Sequence, residues 1–204
     1  CMVHAEEPAT NLAIRENHDI LVFLTQPDEV DRVVTSLSAK LRDALVVPLH
    51  GGLDRDEQKV AFVPADPSKY SRKIVVISNI AETSVTIDGI GVVIDCGQAK
   101  QARYDSSKDA TVLTVDFISK SSAKQRAGRA GRTAPGKCFR LYTSDDHDKM
   151  AQDQPAELIR TDATQAILTV LRLIQNHTDW VADIRNFPFV EHPGVERLNR
   201  AMKL

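Results

Sequence analysis

Cysteine is nearly absent from this 204-residue chain, and the three present, Cys1, Cys96 and Cys138, show no CxxC pairing. An odd count without spacing excludes a disulfide framework and points to an intracellular, reducing compartment, nuclear or cytoplasmic. Long apolar runs are missing too. The longest strongly apolar pieces are about five residues, against the ~18–20 that a membrane span needs, so no membrane association is expected. The six histidines fall into no HExxH-type spacing and no carboxylate–histidine cluster, so no metal site is expected. Neither sign of charge dominates. The net charge of −2 by itself disfavours nucleic acid, although local basic stretches outweigh a global balance. The first residues, CMVHAEEPATN, lack a basic region followed by an apolar one, so no secretory signal is expected; opening on Cys1 suggests a piece of something larger.

What is present is an ordinary globular composition, 42% hydrophobic and 26% charged. A chain of this length buries roughly 70% of its unfolded surface, enough for a core without staples. Short continuous apolar runs at Asp19–Thr25, Leu45–Leu49, Lys73–Ile77, Val92–Asp95 and Cys138–Tyr142 read as strands. Glu29–Leu41, with Val30, Val33, Val34, Leu37 and Leu41 at helical spacing, and the polar stretch Arg55–Phe62 read as helices. Such alternation predicts a parallel sheet covered by helices on both faces. Lys100–Tyr104 and Thr111–Phe117 flank a turn-rich stretch and predict a protruding hairpin within about 98–119. Ser121–Arg132 reads as a glycine-interrupted helix. The composition shifts near Pro155. Beyond it, Thr161 is a candidate cap for a helix presenting Ala163, Ile167, Val170, Leu171 and Ile174 on one face, and a Pro-rich bend precedes a last helix.

The chemistry concentrates in Gln125-Arg-Ala-Gly-Arg-Ala-Gly-Arg132. On a helix Gln125, Arg129 and Arg132 share one face, while Arg126 points elsewhere. Two rigid guanidinium forks beside an amide suit phosphate oxygens. A merely solvated basic helix would favour Lys, mix in Glu and avoid glycine. Gly128 and Gly131 each cost about 1 kcal/mol within a helix, which implies close approach by backbone or ligand. Across the end of this segment, Gly131-Arg-Thr-Ala-Pro-Gly-Lys137 imitates a P-loop. It is rejected, because Cys138 stands where a Mg²⁺-binding hydroxyl belongs and the order runs from helix into strand. A second segment, Ser78–Gly89, leaves the end of a buried strand, where open α/β sheets place ligand loops. Its hydroxyls and amide suit backbone phosphates and bound water, or equally well ordinary loop capping.

Together, DILVFLT, SNIAETSVTIDGI, QRAGRAGR and GKCFRLYT resemble motifs IV, V and VI and the following strand of the second RecA-like domain of DEAH-box ATP-dependent RNA helicases. The likeness runs from about Asp19 to Thr143 and more faintly onward. It implies residues 1–155 as that domain and 156–204 as the beginning of a winged-helix-like domain. It implies ATP with Mg²⁺, held mainly by a first RecA-like domain that carries the P-loop and DExH motif lacking here. By resemblance, Arg129 and Arg132 are arginine fingers, Gln125 positions the attacking water and Ser84 lies close to that network. Thr86 and Asp88 contact the sugar side, and Phe62 stacks on the adenine; the residues alone leave Phe62 open as a core side chain beside Val60. Ser78, Asn79, His50 and Gly51, with Lys100 and Arg103 of the hairpin, are implied contacts to single-stranded RNA, although phosphate contact alone leaves DNA open. Accessory proteins of the G-patch type are implied partners. The alternative is a helicase-like adaptor without catalysis that serves as a docking platform. The family's usual glycine after Thr25 is Gln26 here, which predicts an altered turn. Its usual Asp-Pro-Gly is Asp95-Cys96-Gly97, which predicts a looser lead into the hairpin.

Overall fold

The computed structural model describes residues 18–78, 86–105, 107–108, 110–132, 135–176 and 183–202. Five strands, β1 (Asp19–Phe23), β2 (Ala44–Leu49), β3 (Arg72–Ile77), β4 (Ile90–Asp95) and β7 (Lys137–Arg140), form one sheet in the order β2-β3-β1-β4-β7. Every neighbouring pair is parallel. The strands read as unbroken apolar runs because both faces are covered. Successive side chains alternate between two cores. Leu21, Phe23, Val47, Leu49, Val75, Ile77 and Val93 lie on one side, with Ala61 and Ala130 packed against them. Val22, Leu24, Val46, Ile74 and Val76 lie on the other, under Val30, Val33, Val34 and Leu37 of α1 (Pro27–Lys40).

Local chemistry sets the ends of these elements. Pro27 opens α1, where a missing N–H is harmless. Gln26 before it is extended, at φ −152°, so the turn needs no glycine. Glu29 reaches back to accept from the Thr25 backbone at 3.0 Å and its hydroxyl at 2.6 Å. The substitution of the family's glycine therefore leaves an ordinary, pinned turn. Asp54 and Glu57 form a reciprocal capping box on α2 (Arg55–Val60). The expected glycine-interrupted helix is two elements: α3 (Lys120–Ala127) continues as a 3-10 turn over Gly128–Gly131. The lead into the hairpin is held rather than loose. Cys96 N–H donates to Phe23 O at 3.4 Å, a bond proline could not make, and Gly97 at φ +74° donates to Asp95 Oδ1 at 2.9 Å. The short helix α4 (Ser144–Lys149) follows β7 and is boxed by Thr143 and Asp146.

The hairpin is a separate two-stranded sheet, β5 (Gln98–Asp105) with β6 (Ala110–Phe117). By contacts, residues 1–100 and 115–154 form one compact unit, and 101–114 with 155–204 form another. The second unit holds α5 (Glu157–Arg160), α6 (Thr164–Asn176), a 3-10 turn at Ile184–Asn186 and α7 (Val195–Ala201). Its core is Ala163, Ile167, Ile184, Leu198 and Ala201, with Val170, Leu171 and Ile174 partly buried against it. The apolar stripe read from the sequence is the face that packs. The cap is not Thr161, whose hydroxyl turns back to Glu157 O at 2.9 Å; Asp162 accepts from Thr164 N instead, at 3.0 Å. Within this unit the hairpin tip meets α7: Arg200 donates to Tyr104 Oη at 2.8 Å and lies 5.3 Å from its ring centre. Among the described residues no helix is long and apolar enough to cross a membrane.

Candidate functional site

In a parallel sheet all the strands start at one edge and end at the other, so the two edges gather different segments. The starting edge of the sheet gathers the turn after α2, the first residues of β1 and β3, and Thr86–Gly89 ahead of β4. The finishing edge gathers Thr25–Gln26, His50–Gly52, Ser78 and Cys96–Lys100. A six-residue strand separates them by roughly 20 Å. Because β3 and β4 are parallel, the connection from Ser78 to Gly89 necessarily joins one edge to the other.

At the starting edge, Arg132 donates from Nη1 to Thr86 Oγ1 at 2.7 Å. From there a cleft runs along the face of the sheet, lined by Arg129 and Arg132 with Ile87 and Ile90 at the start of β4, Leu21, and Phe23 and Ile77 at the ends of β1 and β3. The pairing follows from the local fold, since the 3-10 turn repeats every three residues and stacks positions three apart. Gln125, expected to share this face, is exposed on α3 and is not part of the cleft lining. The α-to-3-10 transition at Gly128 breaks the continuous helical face from which that expectation came. A side chain at Gly128 would meet nothing within 4 Å, so the surface there is open to close approach. Gly136 is different: a Cβ there would run into Ala130 O, so this glycine serves packing at the start of β7, as rejection of the P-loop reading requires.

Phe62 is 43% exposed beside Val60 and Val63, at 46% and 60%, so it is not a core residue. Thr86 and Asp88 are exposed. Below Phe62, Lys73 is buried and donates from Nζ to Ala61 O at 2.9 Å and Val63 O at 3.0 Å. Burial pulls its ammonium below the usual lysine range, partly offset by Asp19 and Asp88. Ser84 and Asn79 lie outside the described residues.

At the finishing edge His50 is buried, and both of its ring nitrogens are engaged. Nδ1 accepts from Gly52 N–H at 3.2 Å, which leaves Nε2 to donate to Asp31 at 3.1 Å. The turn therefore offers the exposed backbone of Gly51 and Gly52 rather than the imidazole. Ser78 is buried, and its hydroxyl has no partner among the described residues. Lys100 Nζ reaches Gln26 Oε1 at 3.5 Å. In the second unit Arg103 is exposed on β5.

Sequence reasoning missed the anchor that fastens α3 to the sheet. Arg126 and Asp95, both completely buried, pair at 2.7 Å. The guanidinium lies 4.7 Å from the centre of the Phe23 ring. Asp95 also accepts from Gly97 N–H and, at 3.3 Å, from Tyr142 Oη. Burial and the neighbouring Asp95 carboxylate push the Tyr142 phenol well above its ordinary range. The signal was a lone aspartate ending an apolar strand and an arginine on the helix face opposite Arg129 and Arg132.

An all-parallel sheet of this order, flanked by helices and carrying an arginine pair beside the turn before β4, defines a RecA-like domain of the helicase class. The helicase conserved C-terminal domain family matches residues 6–134, and the chain belongs to it. Its type is DEAH-box. Two crystal structures of Escherichia coli HrpB, one described as a DExH-box NTPase and the other as a DEAH/RHA helicase, are each 33% identical with a TM-score of 0.79. They match 93% and 92% of this chain, which spans 22% and 23% of theirs.

Proposed function

We propose that this chain is the second RecA-like domain of an ATP-dependent RNA helicase, residues 1–155, running into the start of a winged-helix-like domain at 156–204. The observation that carries the reading is the placement of Arg129 and Arg132 in one cleft, with Arg132 held by Thr86 and Gly128 open beside them. The likeness to HrpB, an NTPase and helicase, supports it.

The residues fit a nucleoside triphosphate. Two guanidinium groups suit its phosphates, Thr86 and Asp88 its sugar, and the half-exposed ring of Phe62 its base. When bound with Mg²⁺, held mainly by the first RecA-like domain of the parent protein, the nucleotide supplies the phosphoryl group that is transferred to water. Arg129 and Arg132 neutralise charge that develops on the transferring group, in a cleft where water screens poorly. Gln125 orients the attacking water, and Ser84 belongs to the same network. At the opposite edge Ser78, the Gly51–Gly52 backbone and Lys100 hold a single RNA strand through its phosphates, and Asn79 and Arg103 add further contacts. His50 acts by shaping that turn. Contacts of this kind tolerate any sequence and weaken with salt. Cycles of closure against the first domain move the strand.

The test is hydrolysis of ATP by the full-length parent with Mg²⁺ and RNA, with Arg129→Ala and Arg132→Ala beside the wild type. Each variant should lose about a hundredfold or more, within the range such arginines supply. A wild type that is silent under these conditions overturns the reading and leaves a non-catalytic docking platform in its place.

A further inference from the structure

Lys73 is the one lysine among the described residues that is fully buried, at 1% exposure. It is the second residue of β3, after Arg72 and ahead of four apolar residues, where a valine would cost less to bury. Its ammonium makes two short bonds, to Ala61 O and Val63 O, the carbonyls on either side of Phe62. Its backbone N–H donates to Asp19 Oδ1 at 2.7 Å, and Asp19 N–H donates to Gly89 O at 3.2 Å, next to Asp88. One continuous chain of hydrogen bonds thus joins the turn that carries Phe62 to the turn that carries Asp88. The register slips between Asp19 and Ile20 against β4, so a bulge lies beside this junction.

We propose that Lys73 is a positioning residue for the nucleoside: its buried ammonium fixes the Ala61–Val63 turn so that the Phe62 ring faces the base, and Asp19 carries the same constraint to Asp88 at the sugar. This rests on the nucleotide reading above. With both carbonyls tied inward, Ala61 is wholly buried while the ring between them stays half exposed. A side chain without donors at 73 leaves two carbonyls unpaired, and the turn relaxes by turning them toward water, which rotates Phe62 away. The arginine pair is untouched, because it sits on the separate turn after α3. Lys73 therefore governs base affinity and selectivity, not the chemical step.

The experiment measures hydrolysis of ATP by the full-length parent with Mg²⁺ and RNA, for wild type, Lys73→Met, Phe62→Ala and the double variant. Inorganic tripolyphosphate, which has no base, serves as a competitive inhibitor. Lys73→Met should raise KM for ATP about tenfold, the scale of one lost base–aromatic stack, with kcat nearly unchanged. The double variant should be no worse than Phe62→Ala, and the inhibition constant of tripolyphosphate should stay at the wild-type value. If Lys73→Met does not give a folded protein by thermal melting, Lys73→Gln, whose shorter amide still offers N–H donors but not the reach of the ammonium, replaces it with the same comparisons. Additive effects of the two substitutions, or a parallel weakening of tripolyphosphate, would overturn the positioning role and leave Lys73 as a purely structural group. Failure of the nucleotide reading is distinguishable: the wild type would then be inactive, or Phe62→Ala would leave KM unchanged.

Discussion

Arg126 and Asp95 are both completely buried, so removing either one strands its partner's charge where water does not reach. Breaking such a pair costs about 3–5 kcal/mol. Arg126→Met should lower the unfolding free energy of this domain, extrapolated from urea melts, by that amount, and a double variant with Asp95→Leu should recover part of the loss. Tyr142 gives a pH signature from the same cluster. Its phenol resists ionisation in the folded state, whereas the unfolded chain ionises near 10. The folded form therefore keeps a proton the unfolded form has lost, and stability falls as pH rises above 10. Urea titrations at rising alkaline pH should show this, with a slope approaching about 1.4 kcal/mol per pH unit; Tyr142→Phe should flatten it. None of these partners was legible in the sequence. Helical spacing places Arg126 away from Arg129 but does not say whether that face meets solvent or sheet. Lys73 was hidden likewise, because its own strand reads as apolar and its acceptors are carbonyls, which any sequence carries.

Among the elements, the strands and their order of appearance were legible because a parallel sheet covered on both sides leaves no polar positions to confuse the pattern. The stripe on α6 was legible for a similar reason, one face being wholly apolar. The end of α3 was not. The two glycines signalled an interruption, but only the structure shows that α-helix gives way to a 3-10 turn, which stacks Arg129 over Arg132 and drops Gln125 from the cleft. Two glycines then behave in opposite ways. Gly97 combines φ +74° with the Tyr142 ring packed where a Cβ would lie, so Gly97→Ala should destabilise the domain by more than about 2 kcal/mol in urea melts. Gly128 has ordinary helical angles and open space around it, so Gly128→Ala should stabilise by about 0.4–1 kcal/mol. On the proposed reading the same methyl stands where the nucleotide and the first domain approach, so hydrolysis by the parent should slow even as the melting temperature rises.

At the scale of the whole molecule, the resemblance named the motifs but did not say how they are distributed. The parallel sheet separates them: on the proposed reading the nucleotide contacts lie along one face from the start of β4, and the RNA contacts lie where the strands end. The measurement that tests this arrangement most directly is ATP turnover by the full-length parent as RNA is titrated, for wild type, Lys100→Ala and Arg132→Ala. Lys100→Ala should shift half-maximal stimulation to higher RNA concentration, most at low salt because the lost phosphate contact makes the salt dependence shallower, while reaching the wild-type maximum and keeping the RNA-free rate. Arg132→Ala should lower turnover by about a hundredfold at every RNA concentration without shifting the midpoint. If Lys100→Ala instead depresses turnover without RNA, or Arg132→Ala shifts only the RNA midpoint, the division of labour between the two edges is wrong.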